Sequence, residues 1–178
     1  IDRTLGQKFN VYLGMEKVGL VELMKSWFYP LGLPILPLSG YASVSYIQDV
    51  WQHMDDWERR ENILIYAGDY DPSGEDIDRD FLARLNSLGI RIPKRNVHRV
   101  ALTPDQVTEF GLPPMVGKAG DSRSGGFVER HGVLVQVEVD ALQPTDLRDL
   151  FQTKLDEFWD TDAYDAALER EQAERNTL

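Results

Sequence analysis

The sequence predicts an α/β fold: a parallel sheet of about four strands flanked by helices on both faces, with an additional C-terminal strand and helices. Three observations predict it. Short apolar runs alternate with segments of helical periodicity, in the order β-α-β-α-β-α-β-α, as far as Leu112. Gly, Pro or Ser stands where each apolar run gives way to the next element. The third is the stretch Leu64-Ile65-Tyr66-Ala67-Gly68-Asp69-Tyr70-Asp71-Pro72-Ser73-Gly74-Glu75, where a strand-like run stops at two aspartates before an amphipathic helix. Parallel strands direct their carboxyl ends toward a crevice, so those two acids should stand at its mouth.

Each element has its own signal. Residues 1–8 are a polar lead-in, and Phe9 to Leu13 is a first strand stopped by Gly14. Val18, Leu20, Val21, Leu23, Met24 and Phe28 recur at helical spacing, and Pro30 with Gly32 ends that helix. Leu33 to Leu38 is a second strand whose two prolines confine it to an edge or an irregular course. The turn Ser39-Gly40-Tyr41-Ala42-Ser43 leads, with Ser43 as N-cap, into a helix through Val44, Ile47, Val50, Trp51 and Met54. Ile63 to Ala67 is the third strand, and Ile77, Phe81, Leu82, Leu85 and Leu88 form the stripe of the next helix. Asn96 to Leu102 is the fourth strand. Thr103 caps a helix that has Pro104 at its first position. From 112 to 126 the chain holds Gly and Pro with almost no apolar periodicity, which predicts a long mobile loop. Val133 to Val139 is a further strand, and 141–178 reads as a helical extension opened by Pro144. Residues 9–140 are thus the main domain.

At 178 residues the chain can bury a real core, and 42% hydrophobic residues are globular in character. With no Cys, disulfides, thiolate metal sites and Cys nucleophiles are excluded, which fits a cytoplasmic protein. No apolar run approaches a bilayer span, so no membrane contact is expected. The net charge of -11 argues against a general polyanion binder, although active carboxylates count as charge until a metal binds them. The three His show no metal-ligand spacing, and no P-loop motif occurs.

Two aspartates at i, i+2 repel one another unless a cation lies between them, and hard oxygen ligands suit Mg²⁺ or Mn²⁺. The competing reading of the same residues is a surface Asx turn punctuated by Pro72 and Gly74. Glu16 after the first strand, the Gly40 turn after the second and Asp69 with Asp71 after the third line up through the alternation. That arrangement resembles the Toprim domain, closest to the one in the catalytic subunit of topoisomerase VI and in related phage and bacterial proteins. Met15-Glu16-Lys17 resembles the family's Glu-Lys pattern, Ser39-Gly40-Tyr41-Ala42-Ser43 its glycine turn, and Asp69-Tyr70-Asp71-Pro72-Ser73-Gly74 its Asp-x-Asp-Pro-x-Gly. The resemblance covers residues 9 to 102, with weaker echoes to 158. A DxD phosphatase of the haloacid-dehalogenase type carries its motif after the first strand; here it follows the third.

The resemblance implies Mg²⁺, or Mn²⁺, held by Asp69 and Asp71, with Glu16 as a third ligand or as the general acid/base of DNA phosphodiester cleavage. Gly40 and Gly74 would be turn glycines near the site. Lys118 and Arg123 on the glycine-rich loop, and Arg95 and Arg99 in the basic cluster, are the candidates for DNA phosphate contacts. Glu138 and Asp140 share one strand face and read chiefly as a solvent-facing pair. Topoisomerases of this type carry their nucleophilic Tyr on a preceding winged-helix domain. None of the seven Tyr has such a context and the chain begins at Ile1. Either it is a fragment lacking an N-terminal domain or partner subunit, or it works by another route: as a nuclease, or as a catalytically inactive module that binds DNA or a partner.

Overall fold

The computed structural model describes residues 2–39, 60–87, 91–116, 122, 124–132 and 134–176. The Gly40 turn, the helix expected over Val44 to Met54, and Lys118 and Arg123 lie outside the described residues.

Four parallel strands form the central sheet: β1 (Phe9–Met15), β2 (Ile35–Pro37), β3 (Glu61–Ala67) and β4 (Val97–Ala101). Their order is β2-β1-β3-β4, so the two strands that precede the acids, β1 and β3, are central. Period-two alternation sorts their side chains onto opposite faces. Val11, Leu13, Met15, Ile63, Ile65 and Ala67 point to one layer; Tyr12, Leu64 and Tyr66 point to the other. Helix α1 (Val18–Phe28) covers the first face together with α5 (Pro144–Leu155), and the rings of Phe28 and Phe151 meet at 6.2 Å. Helix α2 (Ile77–Ser87) covers the second with Phe81 and Leu85. Helices on both faces are what an all-parallel sheet requires, since neither face can be left to water.

Several elements differ from the sequence expectation, each for a packing reason. β1 runs through Gly14 instead of stopping there, its pairing with β3 continuing to Met15, and a Cβ at Gly14 would sit 3.0 Å from Leu38 and Tyr66 side-chain atoms. The residue is small for close packing, not for a turn. Residues 144–155 are not an appendage: Leu147, Phe151 and Leu155 are buried in the core of the sheet's first face. The final helix α6 (Thr161–Arg175) is tied to the lead-in. Arg3 pairs with Glu171 at 2.7 Å, and Gln7 exchanges two hydrogen bonds with the backbone of Asp160, at 2.6 and 2.8 Å. Helix α3 (Pro104–Glu109) has the expected start, with Thr103 and Gln106 forming a reciprocal capping box.

The largest difference falls in the glycine-rich region. Helix α4 (Ser124–His131) stands at the end of what composition predicts as loop. Gly125 and Gly126 weaken it intrinsically, and Phe127 offsets this by full burial against Tyr70, ring centroids 5.2 Å apart. The strand expected over Val133 to Val139 contracts to β6 (Val135–Gln136), which pairs antiparallel with β5 (Met115–Val116). Val137 leaves that pairing to bridge Tyr70, exchanging N–H···O bonds of 2.9 and 3.0 Å. A 3₁₀ turn then follows over Val139–Ala141.

Phe127→Ala is expected to lower the unfolding free energy by about 3–5 kcal/mol in a urea titration. A loss below roughly 1 kcal/mol would mean that α4 is not packed on the core as described.

Candidate functional site

The register of the two central strands brings the first acid to the second. Met15 lies opposite Ala67, so the chain leaves β1 at Glu16 beside the point where it leaves β3 at Gly68. The ladder continues past both strand ends, with Glu16 N donating to Ala67 O at 3.0 Å and Gly68 N to Ala101 O at 2.9 Å. Glu16 Oε2 accepts from the backbone N–H of Asp69 at 2.8 Å. Gly68 leaves room for this contact: a Cβ there would stand 2.6 Å from the same oxygen, and the Glu16 side chain would have to shift.

The DxD carboxylates are held in the same manner, by one oxygen each. Asp69 Oδ1 accepts from Val139 N at 2.8 Å. Asp71 Oδ1 accepts from Gly74 N at 2.5 Å and from Ser73 Oγ at 2.8 Å. The second pair of contacts ties Asp71 to the hydroxyl two residues on and to the backbone N–H three residues on, a local side-chain-to-backbone turn that is not the i, i+2 Asx turn of the competing reading. Gly74 is obligatory in it, because a Cβ would meet Asp69 O at 2.1 Å. Tyr70, between the two acids, turns inward among Phe127 and His131. Glu16 Oε1, Asp69 Oδ2 and Asp71 Oδ2 make no hydrogen bond to a described residue.

Two cations hold this edge together. Arg99, on β4, donates to four carbonyls: Leu102 O at 3.1 Å, Gly74 O at 2.7 Å, Gly68 O at 3.2 Å and Asp69 O at 2.6 Å. Its guanidinium therefore braces the DxD loop, with at most one N–H to spare for a phosphate. A bulge between Tyr66 and Ala67 shifts the β3–β4 register at this point. Lys17 lies 2.9 Å from Glu138, 3.0 Å from Asp140 and 4.0 Å from Asp69 Oδ1. Glu138 and Asp140 face solvent as expected, with side chains 42% and 45% exposed, and Lys17 also ties them to the edge. The signal that could have found them is their i, i+2 spacing beside a lysine that directly follows Glu16.

Burial pushes the Glu16 carboxyl up to about 7, and the charges of Asp69 and Asp71 add to this against the lowering effect of the Asp69 N–H and Arg99. Burial also raises Asp69, opposed by the Val139 N–H and Lys17. Partial desolvation alone would lower Lys17, but Glu138 and Asp140 outweigh it and hold its ammonium above the usual lysine range.

Other predicted residues fall elsewhere. Arg95 pairs with Glu61 at the start of β3. That is the opposite end of a seven-residue strand from the acids, roughly 20 Å away at the usual strand rise. His98 and His131 pack against aromatic rings, Phe158 at 5.0 Å and Phe127 at 4.5 Å respectively. Three carboxylates are a donor set that fits a hard divalent ion, since Mg²⁺ takes few carboxylates and keeps waters. Among the described residues, however, no three acidic or His side chains converge closely enough to ligate one ion together. No described helix is long and apolar enough to cross a membrane. The chain matches no protein-family model and no curated protein.

Gly74→Ala is expected to destabilise the fold by roughly 1–3 kcal/mol, as overpacking against backbone does, with amide shifts confined to the 68–76 loop in NMR spectra. Glu16 generates a pH dependence. Its folded-state pKa lies above its ordinary value, so between about pH 4.5 and 7 the folded chain holds a proton that the unfolded chain has lost. Stability therefore falls as pH rises through that window. In EDTA, Glu16→Gln should match the parent near pH 4.5 and exceed it by roughly 1–2 kcal/mol at pH 8, allowing for partial solvent screening. Thermal melts across the range check this; equal curves at both ends would contradict it.

Proposed function

We propose that this protein is a Toprim-like, Mg²⁺-dependent enzyme of DNA phosphodiester cleavage, acting by topoisomerase VI-like transesterification or as a nuclease. The observation that carries the reading is the placement of Glu16, Asp69 and Asp71 together at the carboxyl ends of two adjacent central strands. Each keeps one oxygen without a hydrogen bond to a described residue. In this reading Asp69 and Asp71 would hold Mg²⁺, or Mn²⁺, and Glu16 would serve as general acid/base, or as third ligand once the three carboxylates draw closer than they stand here. The ion would stabilise charge on the phosphate oxygens and lower the pKa of bound water. The N–H donors of Asp69, Gly74 and Val139 orient the carboxylates, and Arg99 keeps the loop from relaxing away from Glu16. The charges of Asp69 and Asp71 help to raise Glu16 in the metal-free chain, so a cation on those two acids would favour its ionised form, the form a ligand or general base needs.

A second reading, a catalytically inactive Toprim-like module that binds DNA or a partner, is favoured by Lys17. Its ammonium already lies among three acids of the edge and supplies part of the positive charge that a metal would bring. An N-terminal domain or partner subunit would then carry the chemistry.

The test is incubation of supercoiled and linear DNA with Mg²⁺ or Mn²⁺, beside an Asp71→Ala control. Cleavage or relaxation above the control is expected. Calorimetry with Mg²⁺ separates the two readings: binding that Asp69→Asn and Asp71→Asn abolish belongs to the first. No such binding, with DNA left intact, belongs to the second.

A further inference from the structure

Lys17 stands where its own helix does not favour it. It is the N-cap of α1, with extended backbone, its side chain caps nothing, and no acid follows in the first turn. N-caps are ordinarily Ser, Thr, Asp or Asn, and the helix macrodipole disfavours a cation at this end. The ammonium is drawn instead to the acidic edge: it lies 2.9 Å from Glu138 Oε2, 3.0 Å from Asp140 Oδ2 and 4.0 Å from Asp69 Oδ1. That Asp69 oxygen also accepts from Val139 N at 2.8 Å. Segment 138–140 therefore reaches Asp69 twice, directly through a backbone N–H and indirectly through the ammonium. The Lys17 side chain is only 24% exposed, and its two closer acids are the more open to water.

We propose that Lys17 is a built-in counter-ion that competes with a divalent cation for Asp69, and that Glu138 and Asp140 hold its ammonium back from that carboxylate. The proposal deepens the metal-site reading given above and rests on it. A positive charge a few ångströms from a ligand oxygen repels any second cation that the oxygen would bind. Glu138 and Asp140 lie within hydrogen-bond reach of the ammonium and Asp69 does not, so the two outer acids take the larger share of it. With those acids neutralised, Asp69 is the remaining partner and the ammonium moves onto it. The edge is thereby partly charge-balanced without metal, and the Lys17 pairing sets the concentration of ion needed to load it.

The test is calorimetry with Mg²⁺ on the full chain stripped of metal, with Asp69→Asn marking the heat that belongs to the edge. Lys17→Met, which removes the charge and keeps the length, should bind Mg²⁺ about fivefold more tightly, the low end of coupling between two sites. Lys17→Arg keeps the charge and should bind like the parent. Glu138→Gln with Asp140→Asn should bind about fivefold more weakly by the same coupling. Introduced into Lys17→Met, that pair of substitutions should change little, because no ammonium remains to be held back. A merely structural tie would weaken binding in Lys17→Met as well, and long-range charge alone would give the pair the same effect in both backgrounds. Either result overturns the proposal. Amide spectra in EDTA check that each variant is folded; Lys17→Gln, which keeps a donor for Glu138, replaces Lys17→Met if that variant is not. A parent that binds Mg²⁺ no less tightly than Lys17→Met retains the metal site and overturns the counter-ion. Binding that appears only in Lys17→Met upholds the counter-ion, and no edge binding in either overturns both.

Discussion

Gathering carboxylates at one end of a parallel sheet sets like charges against each other in a partly desolvated place, and much of the local structure answers that repulsion. Glu16, Asp69 and Asp71 are each steadied by a backbone N–H from Asp69, Val139 or Gly74. Two cations complete the compensation: Lys17 among the outer acids and Arg99 beneath the loop. The compensation is incomplete at Glu16, whose carboxyl burial pushes up to about 7 with the charges of Asp69 and Asp71 adding to it. An edge of this kind is poised to gain from any further positive charge.

The same interactions explain why distant segments had to come together. The loop after β3 cannot hold its shape alone, because its carbonyls point to Arg99 and its Tyr70 backbone needs a partner. Val137 supplies that partner, and the residues around it bring Glu138, Val139 and Asp140 to the edge. Phe127 then closes over Tyr70. A region that composition describes as glycine-rich loop thus ends in a helix and a short bridge whose task is to seat the DxD loop. Helix α5 does comparable service below, filling the face on which β1 and β3 rest.

The chemistry available follows from this division of labour. Carboxylate oxygens that face away from their N–H donors suit a hard cation, while the Arg99 guanidinium is spent on anchoring the loop from its other side. Acid edge and guanidinium anchor therefore share one structural element, the 68–74 loop. Whatever moves that loop moves both.

Much of the architecture was legible in the residues. Strand runs such as Ile63 to Ala67, the periodic stripe of α1 and the Thr103-Pro104 cap report local preferences, and local preferences survive folding where the tertiary contacts agree with them. The grouping of Glu16 with Asp69 and Asp71 was legible too, because parallel strands present their carboxyl ends together. What the residues could not convey was direction and partnership. Arg99 reads as a basic surface residue until the β3–β4 pairing turns it onto four carbonyls, and Arg95, four residues earlier, ends at the far end of the sheet. Gly14 reads as a stop until Leu38 and Tyr66 are seen to need its space. Glu138 and Asp140 face solvent as their spacing suggests, but their tie to Lys17, more than a hundred positions away, is not written in that spacing. The sequence by itself determined the α/β alternation, the strand ends and the acids that stand there, because these depend on near neighbours. Only the tertiary structure decided which cation braces which acid, because that depends on contacts between residues that no local pattern relates.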